Sequence, residues 1–112
     1  MPHFMTTLTY SADAKAALVA NPTDRPKAAA AAIEAVGGKM HAAYLTFGES
    51  DALVIYEVPN AVAAAALAAT LGTSGAFTSV KTTALLTGEE AIKAFKLSGE
   101  TKAAYKPPAS RP

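Results

Sequence analysis

Alanine is the residue that most limits what this chain can fold into. It occupies 28 of the 112 positions, whereas all other apolar residue types together occupy 29. Leu, Ile, Val and Phe sum to 22, a share at which disorder has to be weighed against folding. The formal net charge is only +1, so the high charge typical of disordered chains is missing. We therefore expect one folded domain with a thin core, for which oligomerisation would be a natural supplement.

Composition also excludes several kinds of site and partner. The chain has no cysteine, so disulfides, thiolate nucleophiles and zinc–cysteine sites are absent. Its charge is balanced and no basic cluster is present, which argues against nucleic acid as a partner. The longest apolar run, residues 61–69, is far shorter than the roughly 20 residues that cross a bilayer, so no membrane partner is expected. Residues 1–7 contain neither a basic leader nor an apolar run, and we expect a cytoplasmic protein.

The hydrophobic pattern predicts four strands and four helices. The predicted strands span residues 4–10, 39–47, 52–58 and 77–86. The predicted helices span residues 14–20 after a cap at 11–13, a stretch from a cap at Thr23 or Asp24 to Val36, residues 61–71, and a stretch from 87–90 to about Leu97. This order indicates an α+β fold of the ferredoxin-like βαββαβ type, with an antiparallel sheet and an extra C-terminal helix.

The distribution of apolar residues indicates how the layers pack. Residues 53–56 are apolar at both strand parities, so their strand should be central and covered on both faces. The predicted helices are rich in alanine, and Ala29 and Ala32 beside Ile33 offer a face that can pack closely against a sheet. Because the main helices cover one sheet face only, we expect a second subunit on the other. Residues 98–112 contain Gly, three Pro and few apolar residues, which predicts a flexible tail after a domain of residues 1–97.

Several short segments, in their order and spacing, resemble the GYD domain family over roughly residues 1–97. They are residues 23–25, 37–39, 44–51, 57–59 and 71–72, followed by Gly75, Thr82 and the Glu-rich start of the last helix. Gly48 and Asp51 of the family signature are present, whereas Ser50 stands where the family usually has Tyr. The resemblance implies a dimeric α/β barrel in which two ferredoxin-like sheets face one another. It implies no established activity, since its wider relatives include cofactor-free monooxygenases, haem-degrading enzymes, isomerases and ligand-sensing domains.

His41 and Glu57 are the polar residues on predicted strands that could carry chemistry. His41 could act as a general base or a ligand, or it could be a solvated edge-strand histidine. Glu57 could be an acid or base if it points between two sheets, but a strand-end position in water or beside a lysine such as Lys81 is favoured. His3 lies too near the start of the chain to rate as a candidate. The two histidines have no metal-binding spacing, so no metal and no cofactor are predicted.

The remaining candidates are polar or aromatic residues with alternative structural roles. Tyr44 and Tyr56, like Tyr10, could line a pocket or could be core or interface aromatics. Asp51 is expected to accept hydrogen bonds in the hairpin turn of residues 48–51, and Gly48 to supply a backbone conformation that other residues disfavour. Arg25, the only arginine in the predicted domain, could bind an anion or tie its own loop.

These observations leave two functional hypotheses. The first is a binding or structural module that forms a homodimer. Its other possible partner is a small apolar ligand. The alternative is a small cofactor-free enzyme, monooxygenase-like or isomerase-like, with His41, Glu57 and a tyrosine around a pocket between subunits. The candidate pocket is therefore His41, Tyr44, Tyr56 and Glu57, and an enzyme would need these groups to converge within hydrogen-bond reach.

Overall fold

One four-stranded sheet carries the helical layer on one of its faces. The computed structural model describes residues 1–109. The strands are β1 (His3–Tyr10), β2 (Lys39–Leu45), β3 (Ala52–Glu57) and β4 (Phe77–Leu85). The helices are α1 (Ala12–Ala20), α2 (Arg25–Ala35), α3 (Ala61–Gly72) and α4 (Gly88–Thr101), and a 3-10 turn follows at Lys102–Ala104.

The strands lie in the order β2-β3-β1-β4, and each neighbouring pair is antiparallel. This order, together with the βαββαβ succession, is consistent with the ferredoxin-like plan. It confirms that β3, the strand that is apolar at both parities, is an interior strand. β2 and β4 are the two edges.

Each helix begins at a side-chain cap. Ser11, Asp24, Asn60 and Thr87 each accept a hydrogen bond from a backbone amide in the first turn of the helix that follows. Such a bond satisfies one of the amides that a helix start leaves unpaired. Of the two caps predicted for α2, Asp24 is the one used.

The core lies between the sheet and the helices α2 and α3. Its sheet side is made of large side chains, and its helix side of Ile33, Ala64 and Leu67. The buried apolar residues are Leu8, Ile33, Val54, Tyr56, Val58, Ala64 and Leu67. The helices thus form a thin layer, as the alanine content predicts. On the opposite sheet face, no helix of residues 1–109 contributes a buried side chain, so this part of the chain does not provide the expected cover of β3 on both faces.

Helix α4 extends away from this body. None of its residues is buried, and Ile92 and Phe95, three positions apart on one side of the helix, are 57% and 76% exposed. The described chain measures 60 × 36 × 22 Å and has a radius of gyration of 18.1 Å. A compact domain of this length would have a radius of gyration of about 13 Å. α4 is therefore an amphipathic helix whose apolar side buries no side chain within residues 1–109.

Several predicted boundaries are wrong by small margins. β2 ends at Leu45 rather than at residue 47, because the amide and hydroxyl of Thr46 bond to Asp51 O and Ser50 O and start the turn early. The predicted helix end at Leu97 is also wrong: α4 continues to Thr101, whose hydroxyl donates to Leu97 O at 3.0 Å. Residues 105–109 of the predicted tail have no regular structure, and residues 110–112 lie outside the described part of the chain. Within residues 1–109, none of the helices is both long and apolar enough to cross a membrane.

Candidate functional site

Alternation along the strands sends the candidate residues to two different faces of the sheet. In β1 and β3 the even-numbered residues, such as Thr6 and Tyr56, face the helices, and the odd-numbered residues, such as His3 and Glu57, face away from them. Tyr56 and Glu57 are adjacent in sequence and therefore belong to opposite faces. We call the face that carries His3 and Glu57 the open face. The candidate residues divide between a cavity under the helices and a cluster on the open face.

A cavity of about 470 Å³ lies between the helices and the sheet. Its helix wall includes Ala29 and Ala32, and its sheet wall includes Leu8, Val54 and Tyr56. Alanine side chains end at Cβ, so they leave space where longer side chains would fill the layer. The close packing expected of this alanine face is therefore only partly realised. The volume falls within the range of about 300–1,000 Å³ that is typical of small-molecule pockets.

The cavity wall contains one buried pair of hydroxyl groups. The hydroxyls of Thr6 and Tyr56 are 2.8 Å apart, and Thr6 Oγ1 also lies 3.0 Å from Thr82 Oγ1. Thr6 and Tyr56 are 2% and 1% exposed. The two hydroxyls therefore satisfy one another within the sheet wall, and almost none of their surface faces the cavity.

The cavity opens beside the loop between α1 and α2. Residues 22–26 of this loop and the start of α2 line the cavity and are exposed to solvent. The Arg25 guanidinium lies at this opening and donates to Thr23 Oγ1 at 3.4 Å. Of its two predicted roles, the tie within the loop is present. A cation thus stands at the edge of an apolar cavity.

On the open face, Glu57 lies between the two histidines of the chain. Glu57 Oε2 is 3.3 Å from His3 Nε2 and 3.3 Å from His41 Nε2. The two imidazole rings stack on one another, with centroids 5.2 Å apart and planes inclined by 20°. Glu57 is the last residue of β3, in agreement with the favoured strand-end position, but its ion-pair partners within residues 1–109 are these histidines rather than a lysine such as Lys81.

A β-bulge places His41 on this face. The register of β2 against β3 pairs Met40 with Tyr56 and then Ala42 with Ile55, so His41 is an extra residue in β2. A bulge lets two consecutive residues point to the same side of a sheet, and such irregularities redirect side chains near functional sites. The stacking of His41 on His3 follows from this redirection.

The histidines also lower the pKa of Glu57. The hydrogen bond from His41, together with the positive charge that His41 and His3 carry when protonated, holds the pKa of Glu57 below its usual value. Burial acts in the opposite direction but has the smaller effect. Glu57 is therefore an ionised carboxylate at neutral pH, with two imidazoles directed at one of its oxygens.

The other predicted residues lie at the edge of the cavity or have structural roles. Tyr44 is one of the residues that line the cavity, on the edge strand β2 and in register with Leu53, and it is 63% exposed. Asp51 accepts a hydrogen bond from the backbone amide of Tyr10 at 3.0 Å and one from Lys15 Nζ at 3.3 Å, so it joins the hairpin to β1 and α1. The prediction for Gly48 is wrong, since the positive φ angles in residues 1–109 occur at Gly37 and Gly75 instead.

Sequence reasoning missed His3, which completes the cluster. The signal that could have found it is the strand order. In a ferredoxin-like sheet β1 is antiparallel to β3, so the first residue of β1 lies opposite the last residue of β3. The register indeed pairs His3 with Glu57.

Comparison with known protein families gives a match for this chain. The sequence model of the GYD domain matches residues 4–95, which is most of the chain. No curated protein matches the sequence.

Proposed function

The chain belongs to the GYD domain family, and from this premise and the geometry we propose that it is a binding module for a small, largely apolar molecule. The observation that carries the proposal is the cavity of about 470 Å³ under the helices. An unfilled apolar cavity forfeits contacts that a ligand of matching shape would restore. The alanine-rich helices keep this space open.

The ligand we propose is an aromatic or aliphatic molecule with a single acidic group. The apolar walls accept the body of such a molecule. Arg25 at the opening supplies a partner for a carboxylate. The charge and the apolar part of one ligand are then satisfied at opposite ends of the cavity.

The geometry favours this proposal over the enzyme hypothesis. His41 and Glu57 do not line the cavity, and the sheet separates them from Tyr56. The convergence of His41, Glu57 and a tyrosine in one site, which the enzyme hypothesis requires, does not occur within the described chain. A protein that only binds a ligand does not need these catalytic groups, and the cavity is sufficient for that role.

We further propose that the protein works as a homodimer in which two open faces meet and form the dimeric α/β barrel. The support is the uncovered sheet face, where Met5 pairs with Ile55 beside Leu53, and the unpartnered apolar side of α4. Pairing two copies would cover both surfaces while leaving the cavity on the outer, helical side of each subunit free for its ligand.

The binding proposal is tested by thermal shift with a panel of aromatic acids such as benzoate and 1-naphthoate, with flavin and haem as larger members. A ligand that binds only the native state at 100 times its Kd stabilises it by about 2.7 kcal/mol, which raises Tm by several degrees. The variant Ala32→Leu fills the cavity and should abolish the shift.

The matched control is Ala31→Leu, one residue earlier on α2, where the side chain is exposed and does not line the cavity. It should keep the full shift. The proposal fails if no panel member raises Tm, or if Ala32→Leu responds as strongly as Ala31→Leu.

A further inference from the structure

The distances in the open-face cluster match those of a metal-binding site. Ligands that lie 2.0–2.1 Å from a tetrahedral zinc ion are separated from one another by about 3.3 Å. Glu57 Oε2 has this separation from both His3 Nε2 and His41 Nε2. The ligand atoms of all three residues lie within 4.8 Å of one another. A small rotation of one imidazole therefore brings the three atoms to ligand geometry.

We propose that His3, His41 and Glu57 bind one divalent transition-metal ion of the zinc class per chain. Two imidazoles and one carboxylate are the ligand types that zinc and other first-row divalent ions take in proteins. This site lies on the open face and shares no residue with the lining of the cavity. It is therefore independent of the proposed small-molecule function.

The strands hold the three side chains in place before an ion binds. His3 and Glu57 are fixed by the register of β1 against β3, and His41 is directed to them by the bulge in β2. Because the side chains of one site come from three adjacent strands of a single sheet, little chain ordering is left for the binding event. A preformed ligand set of this kind binds more tightly than the same residues on a flexible loop.

In the single chain the cluster is also accessible and has room for further ligands. The side chains of His3, His41 and Glu57 are 33%, 37% and 22% exposed. Three protein ligands leave at least one position of a tetrahedral ion for water or another exchangeable group. In the single chain such an ion is exchangeable, whereas in the proposed homodimer, where two open faces meet, it lies between the two sheets.

The competing explanation is that the same contacts are only a hydrogen-bonded ion pair in which a proton, not a metal, lies between the carboxylate and the imidazoles. The two explanations differ in a measurable way. A proton-linked ion pair has no affinity for zinc beyond that of any exposed carboxylate, whereas a metal site loses affinity with each ligand removed.

The test is calorimetric titration of the full chain, without any histidine tag, with ZnCl₂ at pH 7.5. Binding of one equivalent per chain is expected, together with a rise in Tm, since an ion held by the native state stabilises it. Co²⁺ should bind at the same place and give visible d–d absorption. His3→Ala, His41→Ala and Glu57→Gln should each weaken Zn²⁺ binding by at least about tenfold, since even outer partners of ligands are worth 10–100-fold.

The control variant is Glu34→Gln, which removes the same charge from an exposed position on α2. It should bind Zn²⁺ like the unmodified protein, with circular dichroism confirming that every variant is folded. The proposal is overturned if ZnCl₂ up to 1 mM produces neither heat nor a shift in Tm. It is equally overturned if His41→Ala or His3→Ala retains full affinity, if Glu34→Gln loses as much as Glu57→Gln, or if half an equivalent saturates the chain.

Discussion

Gly37 and Gly38, between α2 and β2, are required for two different physical reasons. Gly37 has a φ of +84°, a backbone conformation that residues with a Cβ rarely adopt. Gly38 has no such angle, but a Cβ there would collide with the backbone carbonyl oxygen of Glu57 and lie 2.7 Å from Val58 Cγ1. Val58 is fully buried, so it has no room to move aside. The absence of a side chain at Gly38 lets α2, β2 and the end of β3 meet next to the histidine cluster.

Gly38→Ala should therefore destabilise the protein, by about 1–3 kcal/mol as is usual for overpacking at a close-packed position. The measurement is urea denaturation followed by circular dichroism. The matched control is Gly48→Ala, because a Cβ at Gly48 meets no atom within 4 Å and its φ is not positive. The control should change the free energy of unfolding by less than about 0.5 kcal/mol. Equal effects of the two substitutions would contradict this account.

The sequence identifies single residues only where the reason is local. The glycine pair predicts the end of α2, because a helix end needs a left-handed residue nearby. It does not indicate that Gly38 touches β3, because that contact joins segments about twenty positions apart in the chain. For the same reason the sequence does not identify His3 as a site residue, because its partner Glu57 is far away in sequence and adjacent in the sheet. The hydrogen bond between the hydroxyls of Thr6 and Tyr56 is likewise not predictable from the sequence, because the two residues are 50 positions apart.

Helix α4 depends on its own cap, since it packs no buried side chain on the rest of the chain. The Thr87 hydroxyl accepts from Glu90 N at 3.2 Å, and Glu90 Oε1 accepts from Thr87 N at 2.9 Å. The hydrogen bonds with Thr87, first that from its backbone amide, hold the pKa of Glu90 below its usual value. A capping box of this kind satisfies two amides that the helix start leaves unpaired.

The cap makes the helix content of α4 depend on pH. A carboxyl whose pKa is lowered by folding contributes stability above its unfolded value of 4.5, and this contribution is lost as pH falls through the lower folded value. Cα chemical shifts of residues 88–101 should show helix loss in this acid range for the unmodified protein. The acid-dependent loss should be missing in Glu90→Gln, which has no carboxyl to titrate.

At pH 7, Thr87→Ala should lower the helix–coil equilibrium of α4 about fivefold, corresponding to the roughly 1 kcal/mol that a capping residue provides. Glu89→Gln is the control, since within residues 1–109 Glu89 has no hydrogen bond to the cap. If Glu89→Gln loses as much helix as Thr87→Ala, the cap is not what holds α4.

At the level of elements, local chemistry made most of the fold predictable. Caps at Ser11, Asn60 and Thr87 and the alternation in β1 mark where elements begin and which type they are. The bulge at His41 was not predictable, because the sequence of β2 shows no glycine or other mark of an extra residue. The bulge determines on which face of the sheet the His41 side chain lies. Strand parity alone therefore could not predict that His41 joins His3 and Glu57.

At the level of the whole molecule, residues 1–109 leave two apolar surfaces without a covering layer. One is the open face around Met5, Leu53 and Ile55, and the other is the side of α4 that carries Ile92 and Phe95. A thin alanine-rich helical layer covers only one side of the sheet, so the large apolar residues at the other parity of β3 are only partly buried within residues 1–109. Apolar surfaces of this kind mark sites of association.

The homodimer proposal gives the last prediction, which concerns the mass of the protein in solution. Analytical ultracentrifugation at micromolar concentration should give twice the chain mass of 11.4 kDa. Ile55→Lys places a charge in the centre of the open face. In a two-fold interface each substitution acts twice, and an unpaired buried charge costs about 3–5 kcal/mol, so dissociation should increase by at least about 100-fold. Val62→Lys, at a 77% exposed position on α3, is the control and should remain dimeric. A single species of 11.4 kDa in the unmodified protein, or equal dissociation of both variants, would mean that the open face is not the dimer interface.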